Sequence, residues 1–168
     1  MQALDVIKTF CFALENQMKF VTKELTNENL RWRSDEISPS APAAGWMVGH
    51  VLTTHEQVVH QLLFKGSELL PNDYYSTFGL NTDGEFPEPF TIEEVFTQFK
   101  RVTGAIVEEL MSKTDDWLEE FPDDSFFPPN WKGKNHMKVL VLHFNHCFTH
   151  SGQILEVKRL LDKGAWGF

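Results

Sequence analysis

Cysteine is scarce in this 168-residue sequence: Cys11 and Cys147 are the only two, far apart and without CxxC spacing. The scarcity leaves no disulfide framework, no vicinal redox pair and no thiolate zinc site to consider, and a reducing, cytoplasmic setting is the simpler expectation. Basic charge is also short. Fifteen Lys and Arg stand against 24 Asp and Glu, a formal charge of −9, and no basic run exceeds Lys100-Arg101 or Lys158-Arg159. A chain of that sign is a poor match for a phosphate backbone, so a nucleic-acid partner is not expected. Long apolar runs are missing too. Apolar positions alternate with polar ones, and Met1-Gln2-Ala3-Leu4-Asp5 has no basic n-region, so neither a signal peptide nor a spanning helix is expected, and no membrane partner.

What the sequence does contain is helical periodicity. Leu4, Ile7, Cys11, Leu14, Met18, Val21 and Leu25 recur at three- and four-residue steps and predict a first helix over Ala3 to Leu25. A loop follows from Arg33 to Gly45, where Pro39 and Pro42 bar helix continuation. A second helix is expected from Gly45, through Val48, Val51, Leu52, His55, Val58, Val59 and Leu62, to a left-handed cap at Gly66. Pro71 to Phe90 reads as a long irregular segment that forms part of a pocket wall.

Thr91, with Glu94 at the capping-box position, opens a third helix through Leu110. The connection from Asp115 to Gly133 carries Trp117, Phe121, Phe126, Phe127 and Trp131, too aromatic for a solvated tether, and is expected to fold back over the helices. A fourth helix runs from about Asn135 to Lys163 with Gly164 as its stop. Four helical patterns, no strand-period run, no repeat and no shift in composition predict an all-α fold. The expected form is a four-helix bundle with long connections, as one domain over residues 1–168.

The chemistry lies in the seven histidines. Along the fourth helix, at roughly 100° per residue, His150 lies about 40° from His146 and about 20° from His143, so all three crowd one face. Two imidazoles four residues apart can point at one metal ion. Spacing alone allows His143 in place of either neighbour, and Cys147 as well. On the second helix the steps from His50 to His55 and from His55 to His60 each rotate by about 140°, so at most one of these three belongs to a common site. A lone helical histidine is by default a surface or hydrogen-bonded core residue, and His55, His60 and His136 are read that way.

Two metal motifs are absent. His55-Glu56-Gln57-Val58-Val59-His60 has one residue too many for a zincin helix, and no histidine has a glutamate three residues before it, as a di-iron carboxylate bundle requires. Gly152, unfavourable inside a helix, suggests close approach of a neighbouring helix, with Gln153 bonding across the contact.

The element His146-x-x-x-His150-x-Gly152-Gln153-Ile154, preceded about a hundred residues earlier by Gly45-Trp46-Met47-Val48-Gly49-His50, resembles the DinB-like (DinB/YfiT-like) superfamily over nearly the whole chain. The resemblance implies a four-helix bundle with crossover topology and a mononuclear metal held by His50, His146 and His150. Three neutral imidazoles leave a divalent ion with open positions for water or substrate, and imidazole suits zinc, nickel and iron alike. Several branches of that family are thiol-dependent S-transferases or isomerases using low-molecular-weight thiols such as bacillithiol or mycothiol. The expected function is therefore a metal-dependent enzyme, a thiol-dependent S-transferase or a small-molecule hydrolase, with a small-molecule substrate and Trp46, Phe126, Phe127 and Trp131 as candidate pocket walls. Glu56 and His143 are worth mutating but receive no catalytic role. The competing expectation is a non-catalytic metal-binding or dimerising helical protein, a homodimer paired through an apolar face.

Overall fold

Helix α1 (Ala3–Thr22) buries Leu4, Ile7, Cys11, Leu14, Met18 and Val21, the stripe its apolar spacing dictates. In the computed structural model, which describes residues 2–33 and 41–162, every regular element is helical, and no strand occurs among the described residues. The expected continuation of the first helix to Leu25 does not occur. Lys23 leaves helical geometry and Glu24 takes a φ of 74°. Thr26 then caps a separate short helix, α2 (Asn27–Arg31), its hydroxyl accepting from the Asn29 amide while the Asn29 side chain accepts from the Thr26 amide. Of the loop expected between Arg33 and Gly45, residues 34–40 lie outside the described residues.

The second long helix comes in two parts. α3 (Ala44–His55) is buried nearly all round and continues without a break into a π-helical stretch over Glu56–Leu63, where bonds such as Phe64 N–H to the Val59 carbonyl, 3.2 Å, skip five residues. Its end differs from the expected left-handed glycine cap. Lys65 takes the left-handed φ of 57°, while Gly66 supplies room, since a Cβ there would lie 2.4 Å from the His60 ring. Within the segment expected to be irregular, Asn72–Phe78 forms helix α4, which buries Tyr74 and Phe78.

Thr91 caps α5 (Ile92–Met111) as expected, its hydroxyl accepting from the Glu94 amide at 3.3 Å. A 3-10 turn over Asp115–Glu119 buries Trp117 and Leu118. α6 (His136–Leu160) begins at Asn135, whose side chain accepts from the Lys138 amide. It ends at Leu160, before the expected stop; Lys163 and Gly164 lie outside the described residues.

α1 packs along α5 and α6, and α3 packs along the same two helices from the other side. α1 and α3 make no comparable contact with each other, nor do α5 and α6, so each of these pairs is separated by the core. The core so enclosed runs from Leu14 and Met18 through Val48, Leu52, Phe99 and Ile106 to Leu140 and Ile154.

Two glycines set how closely α4 and the following loop approach α3. A Cβ on Gly45 would lie 2.4 Å from the Phe86 ring, and one on Gly49 would lie 2.5 Å from the Phe78 ring, which is itself fully buried. Gly49→Ala is therefore expected to destabilise the fold. Overpacking of about 1–3 kcal/mol outweighs the roughly 1 kcal/mol that alanine gains in a helix. Gly152 behaves oppositely. No neighbouring helix approaches it, contrary to the sequence reading, and a Cβ there meets nothing within 4 Å. Gly152→Ala is expected to stabilise by up to about 1 kcal/mol. Urea unfolding of both variants checks the pair, and equal shifts of the same sign would contradict it.

Candidate metal centre

His50 is the seventh residue of α3 and is 2% exposed. Its ring is held from two sides. Trp46, one turn earlier, stacks on it with centroids 4.6 Å apart and planes 8° from parallel, and the Trp46 indole N–H donates to the Thr77 carbonyl and the Thr82 hydroxyl, each at 2.9 Å. The His50 Nδ1 lies 2.8 Å from the Phe78 carbonyl. A carbonyl only accepts, so Nδ1 carries the proton and Nε2 keeps its lone pair. Burying a histidine against α4 thus fixes both the orientation of the ring and its tautomer.

The other two imidazoles come from α6, which packs against α3. His146 Nε2 lies 3.3 Å from His50 Nε2, and the ring nitrogens of His50, His146 and His150 that could serve as ligands all lie within 4.8 Å of one another. The 3.3 Å separation matches two nitrogens at about 2.0–2.1 Å from one tetrahedral ion. His150 Nδ1 bonds the Gln153 amide oxygen at 2.7 Å, which leaves Nε2 as the lone-pair nitrogen; that atom is buried without any partner. A buried polar atom left alone is costly, and a metal ion would satisfy it. Gln153 therefore serves His150 on its own helix, rather than reaching across a helix contact. The three residues fit a divalent ion.

Electrostatics agree. Burial lowers the pKa of His50, with the proximity of His146 adding to it and the Phe78 bond opposing it. Burial also lowers that of His146, and takes His150 to about 4, helped by its two neighbours. All three are neutral near pH 7, the form that ligates.

A family model described as the DinB superfamily matches residues 14–154. The chain belongs to the DinB superfamily. No curated protein matches it. The DinB match takes in all three clustered histidines and both glycines of the α3 contact.

The remaining histidines of this DinB chain stand apart. His143, on the same face of α6, pairs its Nε2 with His55 Nδ1 at 2.9 Å, and both rings are fully buried. Burial holds the His55 pKa near 3 and drives that of His143 well below its ordinary value. Cys147 lies against this pair, its sulfur 3.5 Å from His143 Nε2; burial pushes its thiol up and keeps it protonated, so it is not one of the clustered ligands. His136 bonds the Trp117 carbonyl and stacks on that indole, and His60 packs against Gly66. The apparent zincin run thus serves packing. Its Glu56 is buried and accepts from the Leu69 and Leu70 amides, Gln61 and Tyr75, which ties the loop after the π-helix to α4.

His50, His146 and His143 open onto a cavity of about 520 Å³. Phe126, Phe127 and Trp131 wall it, as the aromatic loop suggested, whereas Trp46 stacks behind His50 and takes no part. Gln57, Val58, Gln61 and Leu62 of the π-helical stretch and Leu80 complete much of the wall. Leu80 lies in the Pro71 to Phe90 segment expected to form part of the wall, whereas the π-helical wall residues and the Phe78 carbonyl were missed by sequence reasoning. A backbone group carries no side-chain signal, and the π-helical register is invisible to a count at 3.6 residues per turn.

Proposed function

We propose that this protein is a metal-dependent enzyme in which His50, His146 and His150 hold a divalent ion, zinc, nickel or iron, and that it transfers a small molecule to a low-molecular-weight thiol. The observation that carries this reading is the convergence of three neutral imidazoles, one with an orphaned buried nitrogen, beside a cavity of small-molecule size. A divalent ion bound there supplies Lewis acidity that favours the deprotonated form of a thiol or of water. The protein's own contribution is positioning. Phe78 and Gln153 fix two ligand rings, and the aromatic walls offer apolar surface to the substrate beside them.

Thiol transfer is preferred over hydrolysis because, among the described residues, no carboxylate lines the cavity to act as general base. A thiol, with a pKa of about 8.5, needs far less acidification than water at about 15.7. In the transfer, the thiol gives its proton to solvent, its sulfur forms a bond to an electrophilic carbon, and the leaving group departs with the bonding pair and is protonated.

One domain over residues 1–168 and pairing of two copies belong to the same reading. Phe12 and Phe20 on α1, about 80° apart around the helix, are large apolar side chains half in solvent, which favours a surface that joins two chains. The test is elemental analysis and zinc titration of the purified chain, followed by thiol conjugation to an aryl halide with and without chelator. A single ion per chain, unchanged in Cys147→Ser, and chelator-sensitive turnover are expected. A wild type that binds no divalent metal sinks the enzyme reading, and metal binding without turnover, with metal-dependent dimers by sedimentation, favours the non-catalytic one.

A further inference from the structure

Among the described residues no Lys, Arg, Asp or Glu walls the cavity beside the imidazoles, and from this we infer that its ligand is an uncharged, largely apolar small molecule whose sole ionisable group is the head that meets the metal. The head rests on the metal-centre reading above; recognition of the body does not. Away from the imidazoles, a carboxylate, phosphate or ammonium placed in this cavity gives up hydration and finds no counter-charge among the described wall residues, which disfavours it. The chain's formal charge of −9 adds a repulsive field for anions.

The walls specify what does bind. Val58, Leu62, Leu80, Phe126, Phe127 and Trp131 present apolar and aromatic surface. Phe127 is buried, but Phe126 and Leu80 are 79% and 74% exposed, an arrangement that covering by an apolar ligand would improve. Polar recognition is sparse and neutral. The Gln61 amide is already engaged by Glu56 and Tyr75, and the Thr54 hydroxyl by the His50 carbonyl. Gln57 and Asn130 retain free amides among the described residues, enough for one or two neutral groups such as an amide, ester or hydroxyl. Thiols bearing several carboxylates and phosphorylated substrates are excluded by the same walls.

A matched probe pair tests this: N-phenyl-1-naphthylamine, which is neutral, and 8-anilinonaphthalene-1-sulfonate, the same skeleton with an anionic group. Both are titrated by fluorescence into full-length protein treated with chelator, so the result does not depend on a bound ion. The neutral probe is expected to bind about tenfold or more tightly than the sulfonate, Trp131→Ala to weaken it about tenfold, and Gln57→Lys to raise sulfonate affinity about tenfold. Equal or tighter binding of the sulfonate to wild type overturns the inference. So does a neutral probe indifferent to both substitutions, which would place it on the exposed phenylalanines of α1. Zinc titration in parallel separates the two readings: a wild type that shows the probe pattern and no metal binding keeps the neutral cavity and loses the metal centre.

Discussion

Alanine in place of His146 is expected to remove divalent-metal binding and leave the helices folded. The ring is only half-buried, and its one polar contact is with His50 Nε2. Removing it deletes a ligand while the His50 ring keeps its bond to Phe78 and its stack on Trp46. Gln153→Ala provides the scale. That change spares all three ligands but frees the ring of His150, and loss of such an outer hydrogen bond costs about 10–100-fold in metal affinity. The His146→Ala loss should exceed it by a wide margin, with an unchanged far-ultraviolet circular dichroism spectrum. Calorimetric zinc titration of the two variants decides, and wild-type affinity in His146→Ala would falsify the three-histidine assignment.

Acid is expected to destabilise the metal-free protein from pH 6.5 downward, before its carboxylates titrate. The cause is the His55–His143 pair, fully buried in the core between α3 and α6. Burial holds His55 near 3 against an ordinary 6.5, and lowers His143 well below that value, with His55, His146 and His50 adding to the effect. As pH falls below 6.5 the unfolded chain takes up these protons while the folded chain does not. Stability is therefore complete above 6.5 and drains away as pH falls towards the folded values. Each group contributes about 1.4 kcal/mol per pH unit over that window, so His55 alone removes about 3 kcal/mol by pH 4.5. A domain of this size has about 5–15 kcal/mol in total. Urea midpoints in chelator from pH 7.5 to 4.5 should fall steeply below 6.5. A midpoint flat down to pH 5 would contradict the buried neutral pair, and added zinc should raise the acid limb by mass action.

Two of the three clustered histidines were legible because a helical face has a period: His146 and His150 had to lie together whatever α6 packed against. His50 was reachable only through the family resemblance, because its partners come from an element 96 residues away, and α3 alone does not say which of its histidines looks towards α6. The all-helical class was likewise written in the apolar spacing. The boundaries failed where the chain departs from that spacing for tertiary reasons. Thr26 with Asn29 makes a reciprocal cap outside the usual Glu or Gln pattern, and α4 forms because Tyr74 and Phe78 have a glycine-lined face of α3 to pack on. Gly152 invited an inference of close packing that the open space beside it removes.

The change of register at Glu56 divides one helix into two independent instruments. Its α-helical half carries His50 and Trp46, whereas its π-helical half carries Gln57, Val58, Gln61 and Leu62 in the cavity wall. A π-helical turn is an α-helix with one residue too many, and deleting that residue would swing everything downstream by about 100° while leaving the ligand half in place. Descent with small insertions or deletions at this point can therefore exchange the substrate-facing side chains wholesale, and the metal centre need not change with them.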